Sequence, residues 1–301
     1  MRIAVSTIAK NEVSHAERWA ISCADADVRL VADTGSDDGT NYALEQLGVT
    51  VVNLNIKPWR FDMARNAAMA ALPAVDLVIT LDMDEVLAPG WRQAIESNPR
   101  QDQYTYNYVW NWRDGKPDIQ FEADRAVDPS KFWWKHPVHE VLTPAVDNIL
   151  RGPGGFAIHH FSDDSKPRSQ YLPLLEQAFR ENPNDDRIAH YYARELYFAG
   201  DWLNARRIFM HHIQISSWAA ERAASFRYLA KMDDFPERWI LKAIAEDPNR
   251  REPWVDLIQF YNNQNVPVDA LVARVLTITQ RPRDYMTEAR VWDDDYIRGL
   301  A

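Results

Sequence analysis

Three acidic residues follow a short apolar run in the stretch LVITLDMDEVLAPGW. They are Asp82, Asp84 and Glu85, and no basic residue lies among them. In an extended segment, side chains at positions i and i+2 point the same way, so Asp82 and Asp84 can reach one ligand. Two carboxylates held close together repel each other unless a cation lies between them. A Mg²⁺ or Mn²⁺ ion that bridges a carboxylate to a diphosphate would meet this need. A solvated turn at the end of a strand is the alternative interpretation.

The first half of the chain alternates between strand and helix patterns. We predict strands over Arg2–Ile8, Val28–Thr34, Val49–Ile56 and Asp76–Met83, with helical periodicity between them. This alternation predicts a mostly parallel sheet with helices on both faces. From Gln101 to Phe161 the pattern changes: aromatic and polar residues alternate in QYTYNYVWNWRDG, and GGFAIHHF resembles a further strand, which indicates an antiparallel addition. Ligands of such sheets bind beyond the carboxyl ends of the strands, where the acids would lie.

Further polar side chains are expected at the same edge of the sheet. The first strand leads into STIAKNE, which supplies Thr7, Asn11 and Glu12. The second strand ends at Asp33, before the turn-forming cluster TGSDDGT. Arg65 opens a helix in WRFDMARNAA. Together with the acids of LDMDE, these clusters predict one binding site at the carboxyl edge.

The segments STIAKNE, VADTGSDDGT, FDMARNAA and LDMDE, in this order, resemble the family 2 glycosyltransferases of the GT-A fold. The resemblance covers about residues 1–165 and implies a Rossmann-like α/β domain. It also implies inverting, metal-dependent transfer of a sugar from a nucleotide diphosphate sugar to an acceptor hydroxyl. The implied cofactor is Mn²⁺ or Mg²⁺, and family frequency favours uridine as the nucleoside of the donor.

The resemblance also assigns roles to individual residues. In the family, acids at the positions of Glu12 and Asp33 contact the base and ribose of the donor. The first acid of the D-x-D pair usually lies near the ribose and the second binds the metal, so Asp82 and Asp84 take these roles. The implied nucleotide-sugar-binding residues are Thr7, Asn11, Glu12, Asp33, Arg65 and Asp82.

A histidine late in the transferase domain often completes the metal shell in GT-A enzymes. His159 is the preferred candidate here, and His160 is the alternative. Side-chain alternation in a strand places the two on opposite faces, so only one of them should face the metal. Imidazole suits Mn²⁺ better than Mg²⁺, so a histidine ligand would favour manganese. A packed strand residue is the alternative interpretation of either histidine.

Glu140 in WWKHPVHEVL is the candidate general base. A carboxylate within hydrogen-bond reach of the acceptor hydroxyl can remove its proton as the new bond forms. His139 could orient Glu140 or contact phosphate. Glu85 is the rival base, and a structural Glu140 paired with Lys135 or Arg151 is a further alternative.

Aromatic residues are concentrated between the acids and Glu140. Their rings could stack on the apolar faces of sugars, and the even spacing of the first five would place those five on one face of a strand. Burial of that face against a helix is the competing interpretation. The residues are Tyr104, Tyr106, Tyr108, Trp110, Trp112, Trp133 and Trp134.

The second half of the chain has a helical pattern with a weak internal repeat. Glu181–Tyr192 resembles Glu246–Leu257, and the pattern between and around them is typical of tetratricopeptide-like helical hairpins. We therefore predict a GT-A domain over residues 1–165 and an all-α helical-repeat domain over residues 166–301, with the boundary near Ser162–Ser169. The helical domain is expected to help hold the acceptor, to contact a protein or to form a homodimer.

Composition narrows the class of protein. The net charge of −10 gives no support to a chain whose main task is to bind a nucleic-acid backbone. The single Cys23 excludes an intramolecular disulfide. The N-terminal residues lack the apolar centre of a signal peptide, and no apolar run approaches the roughly 20 residues of a membrane span, so we expect a cytoplasmic protein without a transmembrane segment.

Two other functions remain open at this point. One is a metal-dependent hydrolase, which would also need clustered acids and a histidine. The other is a tetratricopeptide-type protein-binding module with an inactive transferase domain. For a transferase, the acceptor could be a glycan, a protein or a modified nucleobase.

Overall fold

A computed structural model describes residues 1–161 and 171–301. The chain divides into two compact units, Met1–Pro167 and Arg168–Ala301. The boundary that the sequence places near Ser162–Ser169 lies outside the described residues and stays a prediction.

A mixed β-sheet forms the centre of the first unit. The strands described in this unit are β1 (Ile3–Ala9), β2 (Val28–Asp33), β3 (Thr50–Asn53), β4 (Leu77–Thr80), β5 (Glu85–Leu87), β6 (Gln103–Val109), β7 (Trp112–Arg113), β8 (Lys116–Pro117), β9 (Gln120–Val127), β10 (Phe132–Lys135), β11 (Val141–Pro144) and β12 (Arg151–His160). Eight of them form one sheet in the order β3-β2-β1-β4-β9-β6-β12-β5. The pairs β7–β8 and β10–β11 are separate antiparallel ribbons.

The sheet combines a parallel part with an antiparallel addition. Strand β1 runs parallel to β2 and β4, and β2 runs parallel to β3. Strand β9 is antiparallel to its neighbours β4 and β6, and β5 is antiparallel to β12. The predicted α/β class with an antiparallel addition is confirmed.

Helices pack on the parallel part of the sheet, and its central strands β1 and β4 are almost entirely buried. The helices described in this unit are α1 (Val13–Ser22), α2 (Thr40–Gln46), α3 (Phe61–Ala70) and α4 (Trp91–Glu96). Trp19 of α1 is fully buried, and its Nε1 donates a hydrogen bond of 2.8 Å to the carbonyl oxygen of Leu81. The helix therefore fixes the backbone at the position before the first acid of the D-x-D pair.

The D-x-D segment forms a turn. Strand β4 ends at Thr80, earlier than predicted, and the Glu85 amide donates to the Asp82 carbonyl oxygen over 2.9 Å. Glu85 Oε2 accepts in return from the Asp82 amide over 2.8 Å. The prediction of an extended D-x-D segment is therefore wrong, because Glu85 folds back to satisfy the Asp82 backbone.

The second unit is helical in its described residues, which confirms the predicted all-α class. Asp185 and Asp201 cap two of its helices by accepting from Ile188 and Asn204 amides over 3.1 and 3.2 Å. Its tetratricopeptide-like character stays a prediction. Within residues 1–161 and 171–301, no helix has the length and apolar character needed to cross a bilayer. The α-helices are α5 (Tyr171–Glu181), α6 (Asp186–Phe198), α7 (Trp202–Ile215), α8 (Ala219–Lys231), α9 (Glu237–Glu246), α10 (Arg251–Asn262), α11 (Asp269–Leu276) and α12 (Asp294–Arg298), and a short 3₁₀ helix spans Ala289–Trp292.

Candidate functional site

The carboxyl ends of three parallel strands meet at one edge of the sheet. Ala9 of β1 pairs with Asp33 of β2, and Ser6 of β1 pairs with Thr80 of β4. Asp33 and the acids that follow β4 are therefore two strands apart at the same edge. The spacing between neighbouring strands puts the two strand ends roughly 10 Å apart.

Asp33 and Asn11 build the loops of this edge. The Asp33 carboxylate accepts from the Gly35 amide and the Ser36 amide, each over 3.0 Å, and from the Ser36 hydroxyl. Burial raises the pKa of Asp33, but the hydrogen bonds from Ser36 and its neighbours outweigh burial and lower it. Asn11 Oδ1 accepts from the Asp37 amide over 2.9 Å, with Asn11 in the left-handed region at φ 58°. The loops after β1 and β2 are thus tied to each other.

Thr7 and Glu12, two predicted nucleotide-sugar-binding residues, are both buried. Thr7 is buried and donates from Oγ1 to the Ile8 carbonyl oxygen over 3.3 Å. Glu12 is also buried, and its amide donates to Thr40 Oγ1 over 2.7 Å. The structure thus places both residues near the predicted edge, with Glu12 at the start of α1.

Five charged side chains form an alternating series of ion pairs, which we call the ion-pair ladder. Arg65 Nε lies 2.5 Å from Glu140 Oε1, and Arg65 Nη2 lies 2.9 Å from Asp82 Oδ1. Arg125 Nη1 lies 3.0 Å from Asp82 Oδ2, and Arg125 Nη2 lies 2.5 Å from Glu85 Oε1. Both carboxylate oxygens of Asp82 are bound by guanidinium groups. Asp82 and Glu85, two of the three acids after β4, are therefore neutralised by arginines of α3 and β9.

Burial and the ion pairs of the ladder together shift the pKa values of its carboxylates. Burial works against a charged Asp82, but Arg65 and Arg125 outweigh burial and hold the pKa of Asp82 well below its usual range. Burial raises the pKa of Glu85 in spite of Arg125. Glu85 is 1% exposed and also accepts from the Tyr108 hydroxyl over 2.5 Å. The interpretation of Glu85 as general base is therefore wrong, because substrate cannot reach its carboxylate.

His160 is the histidine that lies next to Asp84. Its Nε2 is 3.5 Å from Asp84 Oδ2, and its Nδ1 is 3.0 Å from the Trp110 carbonyl oxygen. The imidazole also stacks on the Trp110 ring, with centroids 4.6 Å apart. Burial lowers the pKa of His160, but its bonds to Asp84 and to the Trp110 carbonyl oxygen outweigh burial and raise it.

His159 points elsewhere. Its ring meets Trp112 edge-on at 4.9 Å, and burial lowers its pKa. Strand β12 pairs with β5 so that His160 is opposite Glu85, the neighbour of Asp84, while His159 is opposite Val86. The structure therefore places His160, the alternative candidate, beside Asp84 and turns His159, the preferred candidate, away from it, because strand register decides which imidazole reaches the acid; a metal role for either histidine stays a prediction.

The described residues hold no group of three or more His, Cys, Asp or Glu side chains arranged for a metal. Asp84 and His160 nevertheless offer one carboxylate and one imidazole nitrogen side by side. These donor types suit Mn²⁺, and such an ion keeps further positions for phosphate oxygens and water. The pair therefore fits a metal that is held jointly by the protein and a diphosphate.

Glu140 lies in a strained loop between β10 and β11. His136 and His139 are in the left-handed region, at φ 84° and φ 52°. Such non-glycine conformations are costly and cluster at functional sites. Asn66 of α3 fixes the adjoining strand, because it donates to the Trp134 carbonyl oxygen and accepts from the Trp134 amide, each over 2.8 Å.

Glu140 pairs with Arg65, which neither the base role nor the alternative of a structural Glu140 paired with Lys135 or Arg151 had named. Arg151 Nε instead donates to Gln103 Oε1 over 2.7 Å. The guanidinium of Arg65 binds both Asp82 and the candidate base Glu140. Glu140 therefore belongs to the carboxyl-edge site, although 75 residues separate it from Arg65 in the sequence.

The aromatic residues divide into a buried and an exposed group. Tyr104, Tyr106 and Tyr108 are buried in the core, as the competing interpretation expected. Trp110 and Trp133 are 46% and 44% exposed. Trp112 lies in β7, beyond the end of β6, so the prediction of a single strand face for all five residues is wrong.

Arg125 is a site residue that the sequence did not reveal. It lies in β9 within QFEADRAV, a stretch with no recognisable motif. Its guanidinium joins Asp82 to Glu85 and lies 5.4 Å from the Tyr108 ring. The alternation of exposed and half-buried positions along QFEADRAV was the available signal for a strand with Arg125 on its inner face, but the sequence does not show which acid it would meet.

Replacing Arg125 with methionine should destabilise the first unit by about 3 kcal/mol, because removing one partner leaves the buried Glu85 charge unpaired. The matched control is Arg113→Met, since Arg113 is 55% exposed where it pairs with Asp118 and should contribute under about 1 kcal/mol. Urea unfolding of the full chain measures both. Equal losses in the two variants would contradict a structural role of Arg125 in the ladder.

Comparisons with known proteins give limited similarity. No family model and no curated protein matches the chain. The chain is similar to glucosyl-3-phosphoglycerate synthase from Mycobacterium tuberculosis in complex with Mn²⁺, uridine diphosphate and glucosyl-3-phosphoglycerate, at 22% identity and a TM-score of 0.30 over 38% of this chain and 44% of that chain. The match thus spans less than half of that enzyme.

Two further solved structures are similar to a comparable degree. The same synthase with Mn²⁺, uridine-diphosphate-glucose and glycerol 3-phosphate is 17% identical, with a TM-score of 0.33 over 42% of this chain and 57% of that chain. A mycobacterial protein is 15% identical, with a TM-score of 0.38 over 57% of this chain and 70% of that chain. Matches with such low TM-scores do not establish a shared activity.

Proposed function

We propose that this chain is an inverting, metal-dependent glycosyltransferase. It moves a sugar from a nucleotide diphosphate sugar, with uridine as the favoured nucleoside, to a hydroxyl of a glycan, protein or modified nucleobase. The observation that carries the proposal is the ladder that joins Glu140 to Asp82 through Arg65, next to the Asp84–His160 pair. This arrangement combines a candidate base, a candidate metal pair and a candidate ribose acid at one sheet edge.

Each group has a task in a single displacement. Glu140 accepts the proton of the acceptor hydroxyl while that oxygen bonds to the anomeric carbon. The bond from the anomeric carbon to the diphosphate breaks, and its electron pair leaves with the nucleotide. A divalent ion held by Asp84 and His160 would neutralise charge on the departing diphosphate. Asp82 holds Arg65 and Arg125 in place, and the family resemblance assigns it to the ribose of the donor.

The proposal extends to the rest of the chain. Residues 1–165 form the transferase domain, and Asp33 contacts the nucleotide together with the loop that Asn11 stabilises. Residues 166–301 form the helical-repeat domain, which contacts the acceptor or a partner protein. The side chain of Asp82 is 32% exposed and both of its oxygens are paired with arginines, which fix a single geometry for a carboxylate that a ligand can still reach. This favours an active enzyme over a degenerate transferase.

A nucleotide-sugar panel tests this function through thermal stability. A ligand at about 100 times its Kd stabilises the folded state by about 2.7 kcal/mol, so a uridine diphosphate sugar should raise Tm by several degrees when Mn²⁺ is present. The shift should disappear with a chelator. Uridine monophosphate, which lacks the diphosphate, is the control. Absence of any nucleotide-dependent shift with Mn²⁺ or Mg²⁺ would count against the proposal, and release of free sugar that is unaffected by acceptors would favour a hydrolase.

A further inference from the structure

Two histidines of the second unit are buried where three helices contact one another. His190 lies in α6 and His212 in α7, while Glu221 and Ser225 lie in α8. We call these four residues the histidine cluster, and each of them is at most 2% exposed. The centroids of the two imidazole rings are 5.0 Å apart. Two groups that can become cations are therefore held close together and away from water.

A single hydroxyl connects the two imidazoles. Ser225 Oγ is 2.9 Å from His190 Nδ1 and 2.9 Å from His212 Nδ1. A hydroxyl has one hydrogen to donate, so one Nδ1 accepts this hydrogen while the other Nδ1 carries its own and donates to Oγ. The two Nδ1 atoms therefore differ in protonation when both hydrogen bonds are made.

Glu221 decides which imidazole carries which hydrogen. Its Oε2 lies 3.2 Å from His212 Nε2, and its Oε1 accepts from the Tyr285 hydroxyl. An ionised carboxylate only accepts hydrogen bonds, so His212 carries a hydrogen on Nε2. With both imidazoles neutral, His212 Nδ1 accepts from Ser225, and His190 Nδ1 donates to Ser225. Each hydrogen bond of the cluster then has a donor and an acceptor.

The cluster has a place for one further proton. A proton that binds His190 Nε2 allows the hydrogen on His190 Nδ1 to pass to Ser225 Oγ, while the Ser225 hydrogen passes to His212 Nδ1. His212 then carries hydrogens on both ring nitrogens, and its positive charge lies beside the Glu221 carboxylate. All hydrogen bonds of the cluster are kept in this state as well, with the direction of the Ser225 hydroxyl reversed.

A second proton is not accommodated in the folded cluster. Both Nδ1 atoms would donate to Ser225 Oγ, and the Ser225 hydrogen would lose its acceptor in the core. Two imidazolium rings would also lie 5.0 Å apart in a buried site beside one carboxylate. Burial lowers the pKa of His190, and His212 and two arginines of α6 lower it further. The unfolded chain, in contrast, protonates each histidine at a pKa of about 6.5.

The other ionisable groups near the cluster do not supply a second anion. The two arginines add positive charge, and the tyrosines are neutral near pH 7 because their ordinary pKa is about 10. The Tyr285 hydroxyl occupies one oxygen of Glu221, which fixes that carboxylate further. These groups are Arg187, Tyr191 and Arg194 of α6, Tyr228 of α8, and Tyr285.

We propose that the histidine cluster is a pH-sensitive switch that opens the packing of α6, α7 and α8 when the pH falls from neutral to mildly acidic values. The folded cluster takes up one proton and the opened chain takes up two. The stability that depends on a neutral His190 is therefore complete above about pH 6.5 and is lost as the pH falls below that value. This proposal does not rest on the transferase function.

Hydrogen–deuterium exchange of the full chain tests the switch, because it reports the opening of each helix separately. Exchange is measured between about pH 7.5 and about pH 5 and converted to protection factors, which removes the intrinsic pH dependence of exchange. The variant is His190→Asn, whose amide can still bond to Ser225 but cannot bind a proton. Over this range, we expect the protection of α6, α7 and α8 to fall at least tenfold more in the unmodified chain than in the variant, because one excess proton is worth a factor of about ten per pH unit.

The matched control is His211→Gln, which removes the histidine next to His212 on α7. The glutamine amide can replace the contact of His211 Nε2 with the Pro183 carbonyl oxygen, which spans 2.8 Å. This variant leaves the cluster intact and should keep the pH dependence of the unmodified chain. Equal pH dependence in the unmodified chain and in His190→Asn would overturn the proposal, as would a reduction in His211→Gln as large as that in His190→Asn.

A second measurement applies if His190→Asn does not fold at neutral pH. Nuclear magnetic resonance of the imidazole Cε1–H groups follows the protonation of each histidine in the unmodified chain. We expect His190 and His212 together to take up no more than one proton while the helices stay folded. Independent protonation of both histidines at about pH 6.5 in the folded chain would overturn the proposal.

Discussion

Replacing Asp84 with alanine is expected to abolish metal-dependent donor turnover while the chain still folds. The Asp84 side chain is 20% exposed and pairs with His160, so its removal leaves no buried acid or arginine unpaired. Loss of a ligand of the catalytic ion should remove about 4 kcal/mol of transition-state stabilisation. That energy corresponds to roughly a thousandfold in rate.

Two neighbouring histidines provide a matched comparison for this prediction. His160→Ala should weaken Mn²⁺ binding in the same direction as Asp84→Ala, because its imidazole faces Asp84. His159→Ala should have little effect, since His159 packs on Trp112. Electron paramagnetic resonance of free Mn²⁺, titrated with each variant in the presence of uridine diphosphate, measures binding without requiring turnover.

The results can contradict the metal assignment in two ways. Retained turnover in Asp84→Ala would exclude Asp84 as the metal ligand. A larger loss of Mn²⁺ affinity in His159→Ala than in His160→Ala would show that strand register does not select the ligand. Asp25→Ala, which removes an exposed acid, should leave both Mn²⁺ affinity and stability unchanged.

The sequence predicted the strands and helices at the start of the first unit because hydrophobic patterns within short segments indicate them. Apolar runs of strand length separated by helical periodicity define β1, β2 and β4, and strands joined through helices run parallel in one sheet. The sequence did not predict that β9 lies between β4 and β6, because this position depends on pairing between segments far apart in the chain. Hydrophobic patterns identify strands but do not identify their neighbours.

The sequence predicted which residues form the site, but it did not predict which of them contact each other. The acids at the end of β4 and the base candidate Glu140 were identified from motifs. Arg125, which neutralises two of those acids, was missed because it is 43 residues from Asp82 and carries no motif. The choice between His159 and His160 needed the register of β12 against β5, since a one-residue shift exchanges the two faces of a strand.

The ion-pair ladder connects two roles that were predicted independently from the sequence, namely donor binding by Asp82 and proton acceptance by Glu140. Arg65 binds both Asp82 and Glu140, so displacement of one carboxylate changes the environment of the other. A nucleotide that binds near Asp82 would therefore influence the position of the candidate base. Substitutions at Arg65 would combine effects on donor binding and on transfer, which makes Glu140 the sharper position for a test.

Replacing Glu140 with glutamine should preserve donor binding and eliminate transfer. Glutamine keeps an oxygen that can accept the 2.5 Å hydrogen bond from Arg65 Nε, so Arg65 and Asp82 should stay in place. It loses the negative charge that a proton acceptor needs. General base catalysis contributes about 10² to 10⁴ in rate, and transfer should fall by that factor. Calorimetric titration with uridine diphosphate and Mn²⁺ measures donor binding, and release of uridine diphosphate with acceptor present measures transfer.

The control for this substitution is Glu122→Gln, which makes the same chemical change at an exposed position of β9. It should leave donor binding and transfer unchanged. If Glu140→Gln weakened donor binding but left transfer intact at saturating donor, Glu140 would be a positioning partner of Arg65 and would not act as the base. Loss of transfer with unchanged nucleotide affinity is the result expected of proton acceptance at Glu140, because the amide preserves the Arg65 contact on which the rest of the ladder depends.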